Sequence, residues 1–140
     1  MTDTTTELLR LNQRLLEAIA AGDWATYTEL CDETLTAFEP EAKGQLIAGL
    51  DFHRFYFDLP HPDAPIAVTM QSPQVRMLGD DAAVLTYVRL LQRVVTSGAG
   101  DGASASTASV VETLATEETR VWQRRDGAWR HVHFHRSAVR

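Results

Sequence analysis

The sequence predicts an α+β domain in which helices come first and an antiparallel sheet then curls around them. Three observations carry this. Apolar residues in the first thirty positions recur at helical spacing. From Ile66 onward the chain runs in strand-like segments separated by turn residues. Near the end, Asp126-Gly127 lies between two alternating runs inside Glu117 to Arg136, a strong short hairpin signal.

Leu8, Leu11, Leu15 and Ile19 fall on one helical face, widened by Leu9 and Leu16. They predict a helix capped by Thr5 or Thr6 and running to about Ala21, after a frayed tail. Gly22 stands where a helix end takes a left-handed residue. Asp23 can cap a second helix, Trp24 to about Cys31, whose buried side is Trp24, Tyr27, Leu30 and Cys31. Cys31 reads there as a small buried hydrophobe.

Thr34 to Phe38 reads as a short strand ended by Glu39-Pro40-Glu41. Gly44 to Leu50 connects, with room for a helical turn. Asp51 can cap a third helix, F-H-R-F-Y-F-D-L, stopped by Pro60 and Pro62. So aromatic a helix suits a cover over the open side of a sheet. Residues 60–65 form a loop. Ile66 to Leu78 is a strand broken at Ser72-Pro73, which marks a bulge or an edge. Gly79-Asp80-Asp81 turns the chain into Ala82 to Val95, a long central strand interrupted by Arg89. Thr96 to Ser109 is rich in Gly, Ser, Ala and Thr and reads as a flexible hairpin extension. Val110 restarts a strand that continues through Arg124.

The 140 residues make one domain, 1–140, large enough to bury a core without staples. Hydrophobic content of 44% and charged content of 23% are ordinary for a globular chain. A net charge of −6 argues against a general nucleic-acid or anionic-membrane binder. The single cysteine excludes an internal disulfide framework and fits a reducing compartment. No apolar run reaches about 18 residues and the first residues are polar, so a cytoplasmic protein is expected.

In the closing hairpin, strand parity puts Arg120, Trp122 and Arg124 on one face. On the second strand Val132, Phe134 and Arg136 share a face, and Trp129, His131, His133 and His135 share the opposite one. A face mixing large apolar groups with arginine suits a concave pocket with a cationic floor. The plainer reading is an amphipathic strand with its arginines in water. If the strands pair in sequence order, Arg89, Arg120 and Arg136 come from three successive strands and can face one cavity. Three buried guanidiniums repel and lose hydration, so they need acidic partners or a bound anion. Glu39 and Glu41 are internal acids available for such pairing.

Five segments carry a resemblance. They are A-I-A-A-G-D-W-A-T-Y-T-E-L-C-D (18–32), L-T-A-F-E-P-E-A-K-G (35–44), G-L-D-F-H-R-F-Y-F (49–57), G-D-D-A-A-V-L-T-Y-V-R-L (79–90) and E-E-T-R-V-W-Q-R-R-D-G-A-W-R-H-V-H-F-H-R-S (117–137). Together they resemble the association (hub) domain of calcium/calmodulin-dependent protein kinase II, in the nuclear transport factor 2-like, ketosteroid isomerase-like superfamily. The resemblance implies a cone-shaped α+β fold, with N-terminal helices packed in a strongly curved antiparallel sheet. It implies self-assembly as dimers stacked into a double ring. It also implies an arginine-lined pocket for small carboxylates, at positions matching His53, Arg89, Arg120 and Arg136. The chain departs from the pattern in a shorter loop after Phe57, without the tryptophan of animal hubs, and in a longer, Ser/Ala-rich loop from Thr96 to Glu117. It carries no kinase, calmodulin-binding segment or linker, and in that looks like a free-standing bacterial relative.

Three functions compete. The first is a non-catalytic assembly domain with a ligand pocket, where arginine anchors a carboxylate and His53 adds a contact. The second is an enzyme of the ketosteroid isomerase or SnoaL-like type (isomerase, dehydratase or cyclase), with His53, Asp51, Glu39 and Tyr87 as acid–base candidates. The third is a metal site on the row His131, His133, His135, where alternating residues sit roughly 6–7 Å apart by strand rise. The first is preferred: no catalytic signature stands out, no cofactor or metal is expected, and the expected partners are other copies of the chain and a small anion.

Overall fold

The computed structural model describes residues 3–60, 66–97 and 108–139. Helix α1 spans Thr4–Ala21 and buries Leu8, Asn12, Leu15, Leu16 and Ala18. Each fully buried leucine contributes about 1.5–3 kcal/mol by leaving water. The capping position is Asp3, two to three residues before the threonines expected to cap the helix, and the Asp3 side chain makes no capping bond. It ends at Gly22 in the left-handed conformation, φ 69°. Asp23 then caps α2, Trp24–Leu30, accepting from the Thr26 amide at 3.1 Å. Cys31 lies outside that helix, at the start of β1, Cys31–Phe38, and is fully buried.

A 3-10 turn follows at Pro40–Ala42, then a two-residue strand β2, Ile47–Ala48, and helix α3, Asp51–Phe57. The cap of α3 is Leu50, so Asp51 is its first residue rather than its cap. The rest is sheet: β3 Ile66–Met77, β4 Ala82–Ser97, β5 Ala108–Arg125 and β6 Ala128–Ala138. Among the described residues no helix is long and apolar enough to cross a membrane.

The six strands form one sheet in the order β2-β1-β6-β5-β4-β3. From β3 to β6 it is the antiparallel meander expected from sequence. The sheet is not wholly antiparallel, because β1 returns beside β6 in parallel. The expected break at Ser72-Pro73 is both bulge and edge: the register shifts between Gln71 and Gln74, and β3 closes one side of the sheet. Asp126 and Gly127 both have positive φ, 52° and 79°, the signature of a type I′ hairpin turn. Most of the Thr96 to Ser109 extension, and the 61–65 part of the proline loop, lie outside the described residues.

One expectation about β6 is overturned. The partner of Trp122 is His131, and the partner of the adjacent Val121 is His133. Val132 is therefore an extra residue, a β-bulge, and strand parity flips across it. Trp129, His131, Phe134 and Arg136 all turn to the inner face, where the first three are buried. The histidine row is broken, with His131 in the core and His133 and His135 on the other face.

The core lies between α1, α2 and the inner face of the sheet. It joins Leu8, Leu15 and Leu16 to Leu35, Leu85, Trp122 and Phe134. Buried Asn12 accepts the Trp122 indole N–H at 3.0 Å, so the polar atom inside is satisfied.

Candidate functional site

A cavity of about 220 Å³ opens over the inner face of β4, β5 and β6. Its lining includes all four ligand-site residues expected from sequence: His53, Arg89, Arg120 and Arg136. Tyr27, Phe57 and Phe134 supply apolar wall, and Glu39 and Glu41 supply acid. The arginines meet here because Arg89, Arg120 and Arg136 project from one face of three neighbouring strands. Arg120 pairs directly with Phe134 across β5 and β6, and its guanidinium lies 4.3 Å from that ring's centre.

Behind the arginines sits a residue the sequence reading missed. Glu118 is fully buried and bridges two of them, Arg120 at 2.9 Å and Arg89 at 3.1 Å. It also accepts hydrogen bonds from Tyr87 at 2.7 Å and Thr116 at 3.1 Å. Burial alone would raise its carboxyl pKa. The Arg120 and Arg89 charges, with the Tyr87 hydrogen bond, overcome that and hold it below the usual range. The same carboxylate keeps Arg120 protonated against complete burial. A signal was present: Glu118 lies two residues before Arg120, so parity alone places it on the same strand face.

The third arginine has separate partners. Arg136 donates to Glu39 at 3.2 Å and to Glu41. Glu39 also meets His53 Nε2 at 2.8 Å, and His53 Nδ1 faces the Tyr27 hydroxyl at 3.2 Å. Burial raises the Glu39 pKa, but His53 and Arg136 outweigh it and leave the carboxyl below its ordinary value. The pairing of arginines with internal acids, raised from sequence as the alternative to a bound anion, is thus present for all three. The acids are Glu39 and Glu41 as anticipated, together with Glu118.

Of the acid–base candidates, His53 and Glu39 line the cavity. Tyr87 lies behind it, bound to Glu118, and burial pushes its hydroxyl up to about 12. Asp51 is exposed on α3 and is not in the lining. Neither is placed to act on a cavity ligand.

The three histidines have unrelated surroundings. His131 Nε2 faces Arg120 Nη1 at 3.4 Å. A guanidinium only donates, so Nε2 accepts and the ring proton sits on Nδ1, which faces Cys31 Sγ at 3.4 Å. His133 meets the Thr36 hydroxyl at 2.7 Å, while exposed His135 lies near the Phe38 ring. Among the described residues no group of three or more His, Cys, Asp or Glu is placed to hold a metal ion. Burial lifts the Cys31 thiol to about 12, so it stays protonated and unreactive.

In solved structures, the fold matches a nuclear transport factor 2-like protein of Cytophaga hutchinsonii, with TM-score 0.73 over 99% of this chain and 100% of that one. At 16% identity that likeness speaks for fold alone. The CaMKII hub homology domain of C. reinhardtii is much nearer, at 47% identity and TM-score 0.84, covering 99% of this chain and 100% of that one. The delta subunit of calcium/calmodulin-dependent protein kinase type II from Oryctolagus cuniculus is 47% identical over 133 residues, or 94% of this chain. This chain spans only 23% of that protein's length. Residues 4–140 match the family model of the calcium/calmodulin dependent protein kinase II association domain. The chain belongs to that association-domain family.

Proposed function

We propose that this protein is a self-assembling hub whose cavity holds a small carboxylate or similar anion. The observation that carries the reading is similarity to a hub homology domain along 99% of the chain. Exposed apolar residues support assembly: Phe55, Leu46, Val111, Val110 and Leu114 are all open to water in the single protomer, and interfaces bury such area. The arrangement we favour is dimers built into a larger double ring. Kinase activity is not carried over from the rabbit protein, because the match reaches 23% of it. A cytoplasmic setting is supported by the single buried, unpaired Cys31.

The ligand reading is supported by His53, Arg89, Arg120 and Arg136 lining one cavity. Arginine binds carboxylates through two parallel hydrogen bonds and stays charged when buried. The volume of about 220 Å³ suits a small molecule. Native mass spectrometry of the untagged protein, with and without small carboxylates, tests both parts. A large even-numbered assembly that takes up the anion supports the reading. A monomer or plain dimer overturns the ring, and a large assembly without uptake overturns the ligand.

A second reading rests on the hydrogen-bonded chain Tyr27–His53–Glu39. A histidine oriented by a carboxylate inside a cavity is how a general base is held. An isomerase-like activity would appear as solvent-proton exchange next to the carbonyl of a bound ketone. It would disappear in His53→Gln.

A further inference from the structure

We infer that Glu41 is a displaceable internal ligand, holding on Arg136 the place that a ligand carboxylate takes, and that it restricts the cavity to small monocarboxylates. This rests on the carboxylate reading of the cavity and says how that cavity admits its ligand. The charges around it balance: three guanidiniums, Arg89, Arg120 and Arg136, face three carboxylates, Glu39, Glu41 and Glu118. An anion can enter only if one carboxylate gives way.

The three acids differ in their freedom to do so. Glu118 is fully buried and bridges two arginines, so removing it would strand both cations. Glu39 is 7% exposed and is held from two sides, by Arg136 and His53. Glu41 is 39% exposed and sits at the solvent boundary of the cavity, paired with Arg136. Its backbone is a short 3-10 turn, Pro40–Ala42, that leads into Lys43 and Gly44, both with positive φ. Nothing lies within 4 Å of a Cβ placed on Gly44, so the chain beyond the turn has open space around it. Glu41 is the acid that can swing into water with the least loss.

The exchange sets the ligand's charge. When Glu41 leaves, Arg136 keeps only the Glu39 it shares with His53, and three guanidiniums face two carboxylates, so one ligand carboxylate restores the balance. A dicarboxylate brings a second negative charge into a cluster whose three guanidiniums, set against Glu39 and Glu118, leave room for only one. It would have to keep that charge outside or go without a partner.

Isothermal titration of acetate, propionate and succinate into wild type, Glu41→Gln and Glu41→Ala tests this. Glu112→Gln is the control, since it removes the same charge from the exposed Arg93 pair. Propionate is expected to bind both Glu41 variants about tenfold more tightly than wild type, corresponding to about 1.4 kcal/mol. The control should match wild type, and succinate should bind wild type more weakly than propionate does. Near-UV circular dichroism confirms that each variant is folded. Wild-type binding that is unchanged or weakened in both Glu41 variants overturns the displacement and leaves the carboxylate pocket standing. Preference for succinate overturns the monocarboxylate restriction. Absence of binding by any of these proteins removes the pocket reading, and the inference with it.

Discussion

Glu118 and Arg120 stand two residues apart on the inner face of β5 and form a 2.9 Å ion pair whose side chains are 0% and 1% exposed. Removing Glu118 strands Arg120 in the core, and removing Arg120 leaves Glu118 with Arg89 as its one remaining cation. Glu118→Gln leaves Arg89 and Arg120 both without a counter-charge. The expected cost is about 3–5 kcal/mol, read as a lower denaturation midpoint. A loss below about 1 kcal/mol would show that water or another acid compensates. Arg120→Ala is a poor test of ligand binding, since it also takes one of the two cations from the buried Glu118. Arg136, 15% exposed and close to the solvent boundary, is the cleaner position to probe.

A second prediction concerns pH. Complete burial, and then the Arg120 charge, hold the His131 imidazole well below its ordinary 6.5. Below that pH the unfolded chain binds a proton that the folded chain refuses. Stability is therefore expected to fall as pH drops through 6.5. His133, also lowered by burial, adds to the same slope. Glu118 and Glu39 act later. Their lowered pKa values give stability that is present above the unfolded carboxyl value of 4.5 and is lost as pH falls below it. His131→Gln should flatten the slope between about pH 6.5 and 5 by up to about 1.4 kcal/mol per pH unit. An unchanged slope would place the titrating group elsewhere.

The third prediction concerns assembly. Val111 is 67% exposed and pairs across β5 and β4 with Val94, itself 37% exposed. Val111→Glu removes only the exposed cross-strand contact with Val94, so folding stability should fall by no more than about 1 kcal/mol. If a neighbouring copy covers this pair, a buried charge there is costly and the assembly mass should drop. An unchanged mass would take this face out of the interface.

Local signals read well where the cause is local. Gly22 and Asp23 end one helix and start the next because a left-handed glycine and a capping carboxylate act within one turn of themselves. Asp126-Gly127 makes its turn for the same reason. Parity on β5 also held, because that strand runs without a bulge from Ala108 to Val121 along its β4 partner. On β6 it failed. Nothing in W-R-H-V-H-F-H-R marks Val132 as the extra residue, and a bulge is set by how two strands must fit over one core.

By itself the sequence determined the order of helices and strands, the closing hairpin and the residue types available to the cavity. Each rests on spacing or on the conformational preference of one or two residues. Only the tertiary structure decided the parallel return of β1 beside β6, and it moved Trp129 and His131 to the face of Phe134 and Arg136. It also decided how the cavity charges are matched, with Glu118 beneath Arg89 and Arg120, and Glu39 and Glu41 against Arg136. The physical reason is desolvation. A buried guanidinium must find a counter-charge; Glu118 beside Arg120 is legible from parity on one strand, but its reach to Arg89, and that of Glu39 and Glu41 to Arg136, depends on how distant segments meet, which no local pattern encodes.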